Sequence, residues 1–252
     1  MNRPDPQAWL FPPLLPKAPL RGPVLALAAH PDDEVIACGA MLAFHAGRGD
    51  RVVVVHATDG AAGDPAHKFD DIARVRHAEG RAALQALGVT ELLGLGMPDG
   101  GLAGCRDALV ARIAELFQQV QPRTLYAFSP LEYHPDHRAV GEAVVAAAPH
   151  LPADARVLLF GVNHPALPGI LFDTSELVAT KLRALRCFGS QLAYNDFSAK
   201  AIARDHSATV NVELREVTHA EAFVDLRPAE LPQLLALVHP LLGFLFRPRP
   251  QT

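Results

Sequence analysis

The fold of this chain is most constrained by the regular alternation of apolar runs with segments of helical pattern. Apolar runs that predict strands lie at residues 24–29, 51–57, 91–95, 124–128 and 156–161. Segments that predict helices lie between them, at residues 35–48, 70–87, 107–120 and 138–148. This βα order predicts a mainly parallel sheet with helices on both faces. Because the strand runs are apolar throughout, both faces of the sheet are expected to be covered.

The pattern is less regular beyond Gly161. Residues 175–188 and 198–202 predict helices, and residues 221–226 predict an edge strand. No linker or internal repeat divides the chain, so residues 24–252 are expected to form one Rossmann-like α/β domain. Residues 1–23 contain seven prolines and predict an extended N-terminal segment, with Trp9 and Phe11 against the domain.

Composition narrows the classes of function. Half of the 252 residues are hydrophobic and the formal net charge is −4, which argues against a nucleic-acid partner. The three cysteines are far apart and form no CxxC pair, which favours reduced thiols. With no signal-peptide pattern at the N-terminus, we expect a cytoplasmic protein. The apolar stretch at residues 234–246 is too short to span a bilayer. No pattern predicts an oligomeric state.

Two polar clusters come directly after predicted strands. His30-Pro31-Asp32-Asp33-Glu34 follows the first strand, and His134-Pro135-Asp136-His137 follows the fourth. In open α/β sheets, ligands bind in the crevice outside the carboxyl ends of the strands. Both clusters are therefore expected at the functional edge of the sheet.

The residue types in these clusters predict a catalytic metal site. A catalytic zinc ion has three protein ligands and one open position for water. His30, Asp33 and His137 supply such a set, with the turn at Pro31 letting the first two converge. Histidine and carboxylate ligands suit zinc, but they also suit iron and manganese.

The remaining residues of the clusters suit proton transfer. Asp32 lies beside the expected ion and can act as the general base toward its water. His134, paired with Asp136, is expected to favour its charged form. Such a histidine can stabilise an oxyanion or protonate a departing amine.

With these motifs, the chain resembles the PIG-L/LmbE-like N-acetylglucosamine deacetylase family. The resemblance extends from about Val24 to about Phe223. It includes Ala29–Glu34 with Gly39, His134–Val140, Thr58-Asp59-Gly60, Arg76, Glu79, Ala82, Leu87, Gly88, Asp99, Lys181, Ser190, Gln191 and Glu221-Ala222-Phe223.

The resemblance implies a zinc-dependent hydrolase that removes acetyl from an N-acetylglucosamine-type sugar or its conjugate. It assigns the metal ligands, the base and the oxyanion group to the residues named above. It also implies that Arg76 and Asp99 contact the sugar. Two other roles stay open: Arg76 can pair with Glu79 on the helix surface, and Asp99 can serve the Pro98-Asp99-Gly100 turn. The residues at 60–69 and 163–174 are expected to shape the pocket, with His67 and His164 as further candidate contacts.

Two enzyme alternatives remain. His30-x-Asp32 with a distant histidine also fits the facial triad of an iron oxygenase, although such sites usually occupy antiparallel barrels. A metal-dependent amidase with a different acylated substrate is the other.

Two alternatives concern binding. The chain can be a non-catalytic sugar-binding relative that kept the fold. A membrane-associated protein acting on lipid-linked sugars is also open, because residues 234–246 are apolar and are followed by Arg247 and Arg249.

Overall fold

A computed structural model describes residues 12–164 and 169–245 of the protein. Its core is a seven-stranded sheet in the order β3-β2-β1-β4-β5-β7-β6. The strands are β1 (Val24–Ala28), β2 (Val52–Thr58), β3 (Glu91–Met97), β4 (Thr124–Phe128), β5 (Arg156–Phe160), β6 (Ile170–Asp173) and β7 (Ala220–Leu226). The helices are α1 (Asp33–Gly47), α2 (Ile72–Ala86), α3 (Arg106–Val120), α4 (Pro135–Ala147), α5 (Val178–Leu185), α6 (Gly189–Leu192), α7 (Phe197–Ser207) and α8 (Leu231–Leu245).

The first five strands form the predicted parallel sheet. β1 pairs in parallel with β2 on one side and with β4 on the other, and β3 and β5 extend the sheet in parallel. Every residue of β1, β2 and β4 is buried, as expected for strands covered on both faces. α1, α2, α5 and α7 pack against one another, while α3, α4 and α8 form a separate group. The predicted Rossmann-like fold with helices on both sides is confirmed.

The strand predicted at residues 221–226 is confirmed as β7, but its predicted edge position was wrong. β7 lies between β5 and β6 and pairs antiparallel with both. The edge position belongs to β6, which occupies part of the segment expected to be a pocket loop. A four-residue strand gives little sequence signal, and its partner lies about fifty residues further along the chain.

Part of the N-terminal segment adds to this edge. Leu14 forms a parallel bridge with Leu171 of β6, and the backbone N–H of Leu15 donates to the Leu171 carbonyl at 2.8 Å. Leu20 is buried. Trp9 and Phe11, which we expected against the domain, lie outside the described residues.

The last helix carries the apolar stretch near the C-terminus. Among the described residues, no helix has the length and hydropathy needed to cross a membrane. Leu237, Leu241 and Phe244 of α8 are exposed. The cytoplasmic location and the membrane-associated alternative stay predictions.

A candidate metal centre at the carboxyl end of the sheet

The two polar clusters come together because they follow neighbouring strands. β1 ends at Ala28 and α1 begins at Asp33, while β4 ends at Phe128 and α4 begins at Pro135. The turn after β1 is fixed by the backbone N–H of His30, which donates to Asp33 Oδ2 at 2.8 Å. Both clusters therefore face the same crevice, as the sequence predicted.

Three donor groups form a compact triangle in this crevice. His137 Nε2 lies 3.3 Å from His30 Nδ1 and 3.2 Å from Asp33 Oδ1. His30 Nδ1 lies 3.4 Å from Asp33 Oδ2. All three side chains are at most 10% exposed. The structure thus brings together the three residues predicted as metal ligands.

The size of this triangle fits a first-row metal ion. Ligand atoms about 2.0–2.2 Å from a tetrahedral zinc ion lie roughly 3.3–3.6 Å from one another. Two other groups of potential ligands share His30, one with His134 and His137, the other with Asp99 and Asp136, and their donor atoms lie within 4.8 Å of one another. All three edges of the triangle, from 3.2 to 3.4 Å, match the zinc spacing, which makes His30, Asp33 and His137 the candidate ligand set.

The second nitrogen of His30 faces two further carboxylates. His30 Nε2 lies 3.0 Å from Asp99 Oδ1 and 3.3 Å from Asp136 Oδ2. Burial alone lowers the pKa of His30, but its carboxylate neighbours, Asp136 first among them, outweigh burial and raise it to about 12. The carboxylates around His30 concentrate negative charge in this crevice, which suits a bound cation.

His137 is oriented by a residue that the sequence analysis missed. Glu132 is fully buried, and its Oε2 lies 2.8 Å from His137 Nδ1. Its Oε1 accepts the backbone N–H of Val162 at 2.6 Å. Phe128 stacks on the other side of the His137 ring, with centroids 4.3 Å apart. Partners of this kind fix the orientation of a metal-binding histidine. The sequence feature that could have identified Glu132 is its place in the loop after β4, five residues before His137.

Asp32 is held in an unusual backbone conformation next to the triangle. Its φ is 128° and its ψ is −30°, a conformation that residues with side chains rarely adopt. Burial raises the pKa of the Asp32 carboxyl to about 7, with Arg76 opposing this shift and Asp33 adding to it. A carboxylate with this pKa can both accept and release a proton near neutral pH.

Arg76 binds Asp32 and the surrounding backbone. Its Nη2 donates to Asp32 Oδ2 at 3.1 Å and to the Pro31 carbonyl at 2.8 Å, and its Nη1 donates to the Gly60 carbonyl at 3.1 Å. The alternative pairing with Glu79 is not found, because Glu79 instead accepts the backbone N–H and hydroxyl of Ser190. In the structure Arg76 positions Asp32, and it also lines the crevice.

The expected pairing of Asp136 with His134 was wrong. The Asp136 carboxylate is directed at His30 and accepts the backbone N–H groups of Gly100 and Leu102 at 2.7 and 3.1 Å. His134 caps helix α4, where its Nδ1 accepts the backbone N–H of Asp136 at 3.2 Å. Burial, then the charge of His137, lowers the pKa of His134. His134 therefore favours its neutral form, with the proton on Nε2.

The crevice has a volume of about 480 Å³ and contains the predicted site residues His30, Asp32, Asp33, Arg76, Asp99, His134 and His137. Asp99 is bound on two sides, because its Oδ2 accepts the backbone N–H of Ala62 at 2.8 Å while its Oδ1 faces His30. Other lining residues are Ile36, Ala62, Gly63, Val162, Asn163, Asn195, Phe197 and Lys200. His67 and His164 do not line it.

Comparison with known proteins places these residues in a family. Residues 25–148 match the family described as "PIG-L: GlcNAc-PI de-N-acetylase". The probable N-acetyl-alpha-D-glucosaminyl L-malate deacetylase 2 of Bacillus cereus is 31% identical over 182 residues, which cover 67% of this chain and 83% of the relative. The chain belongs to the PIG-L family. Membership confirms the predicted family and, with it, the predicted class of enzyme, an N-deacetylase.

Solved structures support the fold. The N,N'-diacetylchitobiose deacetylase of Pyrococcus horikoshii aligns with a TM-score of 0.73 at 21% identity, over 82% of this chain and 84% of that one. The 4-carboxy-2-hydroxymuconate hydratase GalB of Pseudomonas putida aligns with a TM-score of 0.68, also at 21% identity, over 81% of this chain and 95% of that one. Since a hydratase shares the architecture, the fold alone does not define the reaction.

Proposed function

We propose that this PIG-L protein is a zinc-dependent hydrolase that removes the acetyl group from an N-acetylglucosamine-type sugar conjugate. The observation that carries the proposal is the triangle of His30, Asp33 and His137 with Asp32 beside it. In this arrangement a metal-binding set and an ionisable carboxylate of suitable pKa share one crevice. Metal-assisted amide hydrolysis uses both.

His30, Asp33 and His137 would hold the ion. Two histidines and one carboxylate match catalytic zinc sites, and iron(II) is another ion that this donor set accepts. The ion supplies Lewis acidity, which lowers the pKa of water and polarises a carbonyl oxygen. Glu132 and Asp99 then keep the two histidine rings in place through the nitrogens that face away from the triangle.

Asp32 would act as the general base. Its carboxylate accepts a proton from the water that attacks the acetyl carbon. Arg76 donates to one oxygen of this carboxylate and so fixes the orientation of the group. When the C–N bond of the tetrahedral intermediate breaks, Asp32 returns the proton to the amine nitrogen, and acetate and a free amino sugar result.

His134 would stabilise the oxyanion as a neutral donor. Its Nδ1 is occupied by the backbone N–H of Asp136, so the ring proton lies on Nε2. An Nε2–H group can donate to a developing oxyanion in the crevice without carrying charge. This assigns the amine protonation to Asp32 and replaces the charged His134 that the sequence suggested.

The outer part of the crevice would bind the sugar and its substituent. Asn163 and Asn195 offer amide groups that suit hydroxyls, and Phe197 offers an aromatic ring. We assign Asp99 and Arg76 to the inner wall, next to the N-acetyl group, where each also holds a catalytic neighbour. The named activity of the Bacillus relative makes a glucosaminyl conjugate of an organic acid the first substrate to test.

A panel of N-acetylglucosamine conjugates tests this function. Wild-type protein of known zinc content is incubated with the malate and inositol conjugates and with N,N'-diacetylchitobiose, with and without a chelator. We expect stoichiometric release of acetate and amine from at least one conjugate, and loss of release with the chelator. Zinc-loaded protein that releases amine from none of them, or does so equally well without metal, would contradict the proposal. In that case hydration of an unsaturated acid is assayed next, because GalB shares the fold.

Replacing Arg76 with methionine is expected to move the pH dependence of the reaction. Arg76 lowers the pKa of the Asp32 carboxyl, so removing its positive charge raises that pKa and leaves less of the base ionised at neutral pH. We expect the acidic limb of the kcat/KM profile to move up by about one pH unit or more. Activity at pH 7 falls about tenfold and recovers in alkaline buffer. Arg74→Met, an exposed arginine of the same helix, is the control and should leave the profile unchanged.

A further inference from the structure

Helix α1, whose first residue is Asp33, is broken at Cys38. This residue has φ −139° and ψ 20°, which are not helical values. In an unbroken α-helix the N–H groups of Ala40 and Met41 donate to the carbonyls of residues 36 and 37. The break separates a short first segment, which contains the proposed ligand Asp33, from the rest of the helix.

A carboxylate from another strand binds the N–H groups that follow the break. Glu221 of β7 accepts the backbone N–H of Ala40 on Oε1 and that of Met41 on Oε2, each at 2.9 Å. It is 1% exposed. A carboxylate in this position caps the second helical segment from outside, as an N-cap side chain does from within.

An arginine binds the carbonyl on the other side of the break. Arg204 of α7 donates from Nη2 to the Ile36 carbonyl at 2.5 Å and from Nη1 to the Gly161 carbonyl at 2.9 Å. Its guanidinium also lies 3.3 Å from Asp205 Oδ1. The two sides of the break are thus held by groups of opposite charge.

A buried lysine links Glu221 to Asp205, the carboxylate beside Arg204. Lys181 Nζ lies 2.6 Å from Glu221 Oε1 and 2.6 Å from Asp205 Oδ2, and its side chain is 1% exposed. Buried ion pairs of this kind add little net stability over apolar side chains of similar volume, because desolvation offsets their attraction. Such a cluster at a helix break is therefore better explained by the geometry that it imposes.

We propose that Glu221 and Arg204, linked through Lys181 and Asp205, are positioning residues for the metal centre. They stabilise the non-helical conformation at Cys38. In this way they fix the orientation of the first segment of α1, and with it the positions of Asp32 and Asp33. None of the four lines the metal-site crevice. The inference rests on the proposed metal site, and its effect reaches that site through the backbone of α1.

Glu221→Gln tests this proposal against Asp225→Asn. Glutamine keeps one carbonyl oxygen but sets an amide NH₂ against a backbone N–H and removes a counter-charge of Lys181. Asp225 lies on the same strand and pairs with Arg156 at 2.6 Å, so its replacement weakens a partly exposed ion pair of β7 away from α1. Arg204→Met is the second variant, because Arg204 is partly exposed and its replacement is better tolerated by the fold.

The readouts are zinc affinity, measured by competition with a chromophoric chelator, together with Tm, kcat and KM. We expect Glu221→Gln and Arg204→Met to weaken zinc binding and lower kcat by about tenfold each. KM should change little, and Asp225→Asn should lower Tm alone. Glu221→Gln and Arg204→Met proteins that lose Tm but keep wild-type zinc affinity and kcat would overturn the inference. Wild-type protein that binds no zinc would overturn the proposed function, and this inference with it.

Discussion

Asp32→Asn is expected to lower kcat by about 10²–10⁴-fold while the protein keeps its metal. Asparagine has the same shape and tolerates a positive φ better than most residues, so the strained turn should survive the change. It cannot accept a proton from water, and it cannot return one to the amine. Rate measurements at saturating substrate, with zinc content determined on the same samples, check this expectation.

The matched control for this variant is Asp107→Asn. Asp107 is an exposed carboxylate in the first turn of α3 and does not line the crevice. Its replacement should leave kcat within about twofold, as expected for a surface position away from the site. An Asp32→Asn protein with near wild-type turnover would remove Asp32 from the mechanism and leave the reaction without a base.

Asp33→Asn is expected to give the opposite result to Asp32→Asn: the protein should lose zinc affinity, while the catalytic base is kept. The amide retains an oxygen but loses the negative charge that faces His30 and His137. We expect zinc affinity to fall by more than about 100-fold, the upper end of the loss that removal of an outer-shell partner causes. Because Asp32 remains, part of the activity should return in excess zinc. Isothermal titration and a zinc-dependent rescue assay measure both effects.

Together, Asp32→Asn and Asp33→Asn also distinguish the zinc site from the facial-triad site. In the facial-triad alternative, His30 and Asp32 are the ligands, and Asp32→Asn is then the variant that loses metal. The structure instead directs Asp32 to Arg76 and places Asp33 between the two histidines. Zinc affinity lost in Asp32→Asn and kept in Asp33→Asn would therefore contradict our assignment.

The central part of the fold could be predicted from sequence because its signals are local. The strands from 24–29 to 156–161 are continuous apolar runs, and their observed counterparts β1 to β5 begin and end within about two residues of the prediction. The last part of the sheet could not be predicted in this way. β6 is a short strand whose partner β7 lies far along the chain, so the position of β7 inside the sheet depends on a contact that neither segment encodes alone.

In the candidate site, too, the features with a local sequence signal could be predicted and the others could not. His30, Asp33 and His137 were found because polar residues directly after neighbouring parallel strands must share one edge. The carboxylate that orients His137, and the partner of Asp136, were missed because both depend on side-chain directions. Asp136 turns toward His30, where its carboxylate also accepts the backbone N–H groups of Gly100 and Leu102. Glu221 and Arg204 meet at α1 from two distant segments, which only the folded chain brings together.

The most direct test of the metal-dependent mechanism is a zinc titration of metal-free protein. Bound zinc and the rate of acetate release from the preferred conjugate are measured on the same aliquots. We predict that the rate rises in proportion to bound zinc and levels off at about one ion per chain, as expected for a single catalytic site with three protein ligands. A rate that does not depend on bound zinc, or the absence of acetate release at full occupancy, would contradict the mechanism.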